Sequence, residues 1–323
     1  MCVPLSIQEI VMKYKNLGRS GLKVSELSLG SWITFGNGLD SDGVKRCMKR
    51  AFDLGVNFFD NAEVYSKGEA ETMMGEAIRQ FRREDLVVST KIFWGGNGPN
   101  DTGLSWKHLV EGTRNSLRRM RLSYVDVLFC HRPDPTTPVE ETVRAMDYCI
   151  KSGYAFYWGT SEWSAAQIIA AHEAAERFVC IPPIVEQPQY NLLKRERVER
   201  EYATLYKKYG MGLTTWSPLA SGILSGKYNE GIPKDSRLDK NEWLRQELTP
   251  SVVAKVKRLA ELARELDCSL SQLSIAWCLK NPDVSTVLTG ASSLEQIEEN
   301  MKAVAVKDRL TDSVMKQIEK IAS

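Results

Sequence analysis

The sequence predicts a single (β/α)8 barrel, and three observations carry that prediction. Short apolar runs alternate with segments of helical periodicity, the mark of βαβ units and a parallel sheet. The alternation repeats eight times, with no stretch of linker composition to divide the chain. Successive apolar runs end in polar side chains, and parallel barrels carry their functional groups at the C-terminal ends of strands. A length of 323 residues fits one such barrel.

The elements follow in order. Lys13-Tyr14-Lys15 and Lys23-Val24, joined by Leu17-Gly18-Arg19-Ser20-Gly21, predict a hairpin ahead of the repeats. Strand one is 27–30, followed by a helix that Ser41 caps and Gly55 stops, since Ser suits an N-cap and Gly a C-terminal stop. Strand two is 57–60 with a helix near 69–79, and strand three is 86–91 with a helix near 105–120. Strand four is 125–131, with a helix from Pro138, a residue suited to a first turn, to the stop at Gly153. Strand five is 156–160 with a helix over 164–177, and strand six is 183–187 with a helix over 196–209. Strand seven is 212–217. A long polar, Gly-containing connection over 218–249 leads to helices near 250–266 and 271–279. Strand eight is 285–288, a helix near 293–304 closes the cycle, and 311–323 is an extra helix. Residues 1–12 are expected to be a short disordered extension and 13–323 one domain. The loops 92–104, 132–137 and 218–249 are long enough to bind or cover a ligand.

Composition narrows the function classes. A hydrophobic fraction of 43%, a charged fraction of 26% and a formal net charge of +2 give no nucleic-acid signature. Arg114, Arg118, Arg119 and Arg121 fall at helical spacing and read as a solvated face. The seven cysteines are scattered, without a C-x-x-C pair, which predicts reduced thiols in a reducing compartment. His108, His131 and His172 have no ligand spacing, so no metal site is expected. No apolar run approaches the roughly 18 residues of a membrane span, so no transmembrane segment is expected. The opening Met1-Cys2-Val3-Pro4-Leu5-Ser6-Ile7 lacks signal-peptide features. A cytoplasmic location is expected.

The chemistry lies at the strand ends. Asp60, Lys91 and His131 end strands two, three and four, and Tyr65 stands one short loop beyond Asp60. Tyr, Lys, Asp and His are what carbonyl reduction by hydride needs. A free phenol has a pKa of about 10, too high for an efficient acid at neutral pH. A neighbouring lysine is expected to lower it, an aspartate to hold the lysine, and a histidine to orient the carbonyl. Ser161 after strand five and Gln187 at the end of strand six have the shape to hydrogen-bond a carboxamide, with strand capping as the competing role. The run Trp216-Ser217-Pro218-Leu219-Ala220-Ser221-Gly222 offers an apolar face and free backbone amides suited to a diphosphate. Lys227 and Arg237 in the same connection can clamp phosphates. Gly290-Ala291-Ser292-Ser293 precedes a helix whose N-terminus can hold an anion. No G-x-G-x-x-G follows a strand, so a Rossmann site is not supported. Trp32, Tyr65, Phe93, Trp94 and His131 are expected to wall a small substrate pocket, with packing in the core as the competing role of such aromatic residues.

Four stretches carry a resemblance: Asn57-Phe58-Phe59-Asp60-Asn61-Ala62-Glu63-Val64-Tyr65, Thr90-Lys91-Ile92-Phe93-Trp94-Gly95-Gly96, Tyr157-Trp158-Gly159-Thr160-Ser161-Glu162-Trp163-Ser164, and Thr215 to Gly222. Arg132-Pro133-Asp134, Glu140 to Met146, and Ile275-Ala276-Trp277-Cys278 extend it. On these residues the chain resembles the aldo-keto reductase superfamily, in the branch of the voltage-gated potassium channel β subunits. The likeness runs from Tyr14 to the C-terminus. It implies NADPH bound extended across the barrel mouth and a small aldehyde or ketone as substrate, with Tyr65 as general acid tuned by Lys91 and Asp60. It implies Ser161 and Gln187 on the carboxamide, and Ser217, Leu219 and Ser221 along the diphosphate. Lys227, Arg237, Ser292 and Gln296 would reach the 2′-phosphate, Glu299 and Asn300 the adenine, and Ser31 and Trp32 would line the site. A homotetramer is implied, and a potassium channel α subunit as partner is the alternative function. Animal channel subunits usually carry Asn where this chain has His131, so the histidine completes the reductase tetrad. They also have Arg where Glu162 stands and Tyr where Asp235 stands, and often a long inactivation segment that the residues before Lys13 are too few to form.

Overall fold

The computed structural model describes residues 11–322. Residues 1–10, most of the expected N-terminal extension, and Ser323 lie outside the described residues. The strands are β1 (Tyr14–Asn16), β2 (Lys23–Ser25), β3 (Leu27–Gly30), β4 (Phe58–Asp60) and β5 (Val87–Ile92). They continue as β6 (Val125–Cys130), β7 (Ala155–Ser161), β8 (Val185–Gln187), β9 (Gly212–Thr215) and β10 (Val284–Thr289). β1 and β2 pair antiparallel, and β3 to β10 close into an eight-stranded parallel barrel in which β10 returns to β3. The strands from β3 to β6 are buried almost throughout, as parallel strands covered by helices must be.

The hairpin has a structural task. Leu17 and Val24 are fully buried and join Phe58, Val87, Val127, Phe129, Val185 and Leu288 in an apolar cluster of their own. Gly18 lies so close to the start of β9 that a Cβ there would meet Gly212 N at 2.6 Å, and its φ of +57° suits glycine. Contact with the first residue of β9 puts the hairpin under the N-terminal end of the barrel, so the opposite end is the open one.

Helices cover the outside, and several boundaries have identifiable causes. Helix Ser41–Asp53 is capped by Asp40, whose Oδ1 accepts from Gly43 N at 2.7 Å, so the cap lies one residue before the expected Ser41. Pro138 precedes helix Val139–Lys151 as its N-cap and does not enter the first turn. The helix expected over 196–209 divides into a π turn, Arg197–Glu201, and an α-helix, Ala203–Tyr209. The 218–249 connection holds a tight turn, Ala220–Ser225, and short helices Arg237–Lys240 and Glu242–Arg245. No helix among the described residues is long and apolar enough to cross a membrane.

Candidate active site

The ladder brings the strand-end residues to one face. Asp60 ends β4 and pairs in register with Ser89, Lys91 is the penultimate residue of β5, and His131 follows β6 directly. Tyr65 opens a tight turn, Tyr65–Gly68, in which Ser66, Lys67 and Gly68 have φ of +48°, +56° and +90°. The Ser66 hydroxyl pins that turn to Phe35 O at 2.7 Å.

The polar chain is continuous. Lys91 Nζ, fully buried, donates to Asp60 Oδ2 at 2.5 Å, to Asn61 O at 2.7 Å and to Tyr65 Oη at 3.2 Å. Asp60 Oδ1 accepts from Ser89 Oγ at 2.7 Å and from Gln187 Nε2 at 3.1 Å, so both carboxylate oxygens are committed. His131 meets Tyr65 edge-on at 5.7 Å between ring centres and Trp94 at 5.1 Å, and its buried Nδ1 has no hydrogen-bond partner.

Burial decides the ionisation states. Desolvation outweighs the Lys91 charge at Tyr65 and holds the phenol above its ordinary range. The expected lowering is therefore not what the surroundings produce: desolvation dominates, and the Asp60 charge works against that of Lys91. Desolvation works against the Lys91 ammonium, but the Asp60 carboxylate wins and raises its pKa. His131 is pushed well below 6.5 by burial and by the charges of Lys91 and Arg132, so its imidazole is neutral. At neutral pH the arrangement is a protonated phenol against an ammonium, with a neutral imidazole beside it.

These groups sit at one end of a cavity of about 690 Å³. Trp32, Asp60, Tyr65, His131, Ser161, Gln187, Trp216, Ser217, Pro218, Leu219, Ser221, Lys227, Arg237, Gly290, Ser292, Gln296, Glu299 and Asn300 all line it. Lys91 lies beneath Tyr65, off the surface, and Ser31 and Ala220 are buried behind the wall. Trp94 lines the pocket, whereas Phe93 packs on the core and touches it only through the Trp94 edge at 4.7 Å. Gln187 turns its amide nitrogen to Asp60 and Thr214, so it braces the tetrad from below.

The far arm of the cavity has the chemistry of a phosphate site. Ser217, Ala220, Ser221 and Gly222 have φ of +57°, +45°, +57° and +92° in one turn, a conformation that non-glycine residues adopt at a cost. The amides expected to be free are spent inside it: Ala220 N donates to Ser217 O at 3.0 Å, Gly222 N to Leu219 O at 2.8 Å and Ser221 N to Ser217 Oγ at 3.3 Å. Asn191 Nδ2 braces it through Ser217 O at 2.9 Å. Arg237 lies over the Trp32 ring at 4.6 Å, and its buried Nε and Nη2 have no partner. A buried guanidinium with free donors costs stability unless an anion meets it. Ser292 and Gln296 bond each other at the start of helix Leu294–Met301, and Asn300 reaches Gly290 O at 3.3 Å. The orphaned Arg237 donors, with Lys227 on the same cavity wall, fit the phosphate of a dinucleotide.

Sequence reasoning missed Arg132 as a lining residue. It follows His131, and alternation along a strand would turn two neighbours to opposite sides. The strand has ended at Cys130, however, so both residues face the cavity. Thr34, Ser225, Ser271 and Thr289 also line it from loops and ends without a sequence signal.

The sequence matches the Aldo/keto reductase family over residues 26–323. It is 58% identical over 316 residues to an Arabidopsis thaliana protein named "Probable voltage-gated potassium channel subunit beta", covering 96% of each chain. A rice protein (Oryza sativa subsp. japonica) of the same name is 58% identical over 316 residues, again covering 96% of each.

Proposed function

The chain belongs to the aldo/keto reductase family, and from that premise we propose that it is an NADPH-dependent reductase of aldehydes and some ketones. The observation that carries the reading is the Asp60–Lys91–Tyr65 hydrogen-bond chain, with neutral His131 beside it, at the reacting end of the cavity. NADPH held along this cavity would supply the hydride for the carbonyl carbon. The carbonyl oxygen takes the Tyr65 proton, and the alcohol leaves. Burial keeps that proton on the phenol until the substrate oxygen becomes basic, and the Lys91 ammonium then stabilises the phenolate left behind. His131, as an uncharged N–H donor, orients the carbonyl oxygen. Ser161 would hold the carboxamide, with Gln187 bracing Asp60 below, and the turn from Ser217 to Ser221 would hold the diphosphate. Lys227 and the unpartnered Arg237 favour a cofactor with a 2′-phosphate, hence NADPH over NADH. Glu299 and Asn300 line the end where an adenine would lie.

Purified protein is expected to oxidise NADPH through many turnovers with small aldehydes. Tyr65→Phe should lose about 10²–10⁴-fold in kcat while keeping nucleotide affinity. Oxidation of only one bound equivalent of cofactor by the wild type would sink the reading.

The names of the plant relatives favour a second reading, a cytoplasmic β subunit that assembles as a homotetramer on a voltage-gated potassium channel. A tetramer mass by light scattering and co-purification with a channel's cytoplasmic domain are its expected outcomes. A monomer that no channel domain retains would end it.

A further inference from the structure

We propose that Arg132 makes this site selective for aldehydes and ketones that carry a carboxylate close to the reacting carbonyl, an inference that rests on the reductase reading above. Arg132 is half-buried in the cavity wall. Its Nη1 donates to His131 O at 2.5 Å and to Ser161 Oγ at 3.2 Å, and the guanidinium carbon lies 5.5 Å from the Trp94 ring centre. Among the described residues no carboxylate pairs with it. The acids at this end are committed elsewhere: Asp60 to Lys91, Glu162 to Arg197, and Asp134 to Thr136, Thr137 and the Leu104 amide. Lys91 is matched by Asp60, so Arg132 leaves the reacting end of the cavity with an unmatched positive charge. Arg132 is bonded to His131 O and lines the same cavity as Tyr65 and His131, which places its charge within a small molecule's reach of the reacting carbonyl.

A merely structural arginine would not need this arrangement. Tethering His131 O and Ser161 uses one nitrogen, which a lysine could supply. The guanidinium carries a planar fork of five N–H donors, and Nε and Nη2 meet no protein acceptor among the described residues. A carboxylate matches that fork with two parallel bonds, stronger in a protein-walled pocket than in water. Trp94 and Trp32 provide flat apolar walls for the body of such a substrate. The favoured class is therefore an oxo-acid or a carboxylated aromatic aldehyde.

The test compares 3- and 4-carboxybenzaldehyde with their methyl esters, which keep the ring and the activation of the formyl group but remove the anion. With wild-type protein and NADPH, kcat/KM for the better acid should exceed that for its ester by about tenfold or more, chiefly through KM. Arg132→Gln should bring that ratio toward one, and Arg132→Lys should keep part of it. Benzoate should inhibit the wild type competitively against aldehyde, with benzamide far weaker, a comparison that needs no variant to fold. Equal kcat/KM for acid and ester, or equal inhibition by benzoate and benzamide, would overturn the selectivity and leave the reductase reading intact. Equal losses on acid and ester in Arg132→Gln would show a brace for His131 and also overturn it. Absence of NADPH turnover with either aldehyde would overturn both readings together.

Discussion

Trp216 shows how much of this site depends on one side chain behind the cavity wall, that of Glu162. Its indole forms part of the cavity wall, edge-on to Trp32 at 6.0 Å between ring centres. Glu162 Oε1 holds it by accepting from Trp216 Nε1 at 3.0 Å and also takes the Gln189 amide at 2.6 Å. Its other oxygen meets Arg197 Nη1 at 2.5 Å, and its backbone sits at φ of +58°. A non-glycine residue in that conformation costs about 1–2 kcal/mol, a strain that collects at functional sites. Glu162 is thus a positioning residue for the wall against which a nicotinamide would lie. Glu162→Ala removes the acceptor and takes away one anion of Arg197, so NADP⁺ release should accelerate by roughly tenfold, about the worth of one lost part-buried hydrogen bond. Glu162→Gln keeps an acceptor for the indole and should fall between. Stopped-flow release of NADP⁺, followed by tryptophan fluorescence, checks this, and unchanged release in Glu162→Ala would remove the role.

Among the elements, strands were the most legible part of the sequence. The run ending in Phe58-Phe59-Asp60 is a short, fully buried strand whose last residue is polar, and period and burial leave little other reading. The loops were less legible, since Arg132 reached the cavity only because β6 stops one residue short of His131. Helix ends slipped by one residue where two good caps stand side by side, as Asp40 and Ser41 do. The direction in which the Tyr65 pKa moves could not be read at all, because desolvation depends on what folds over the side chain. Helix crossings are likewise set by close approach. In helix Glu69–Ile78, a Cβ at Gly75 would stand 2.2 Å from Met120 O, at the end of helix Trp106–Met120. Gly75→Ala gains about 1 kcal/mol of helix propensity. Overpacking against backbone costs about 1–3 kcal/mol or more, because a carbonyl cannot swing aside as a side-chain tip can. The clash should win, and guanidinium unfolding should show a variant about 1 kcal/mol or more less stable. A stabilised Gly75→Ala would mean that the two helices cross with room to spare.

Across the whole molecule, buried acids mostly have a cation. Asp60 has Lys91, Asp126 has Arg83 at 2.6 Å, Glu71 has Arg119 at 2.6 Å, and Glu26 has Lys307 at 2.6 Å. Glu186 departs from that pattern. It is fully buried beside Gln187 on β8, held by the Thr160 hydroxyl and by the Trp163 N–H at 3.2 Å, with Tyr202 Oη 3.4 Å away. Arg197 bears on it from the π turn but is bonded to Glu162, whose own charge opposes a second anion. Burial, outweighing the Thr160 bond and reinforced by Glu162, pushes the Glu186 carboxyl up to about 8. The unfolded chain releases that proton near pH 4.3, roughly the ordinary glutamate value. Between the two values the folded protein binds more protons than the unfolded one, so stability falls as pH rises. The contribution is fully present below the unfolded pKa and is gone once pH passes the folded pKa near 8. Gln at this position mimics the protonated acid in shape and neutrality. Glu186→Gln should therefore leave stability at pH 5 little changed. At pH 8 it should raise stability by on the order of 3 kcal/mol relative to wild type, since each tenfold difference in proton affinity between folded and unfolded chain amounts to about 1.4 kcal/mol. Guanidinium unfolding of both proteins at the two pH values measures this directly, and an equal difference at pH 5 and pH 8 would show that Glu186 carries its charge in the folded barrel.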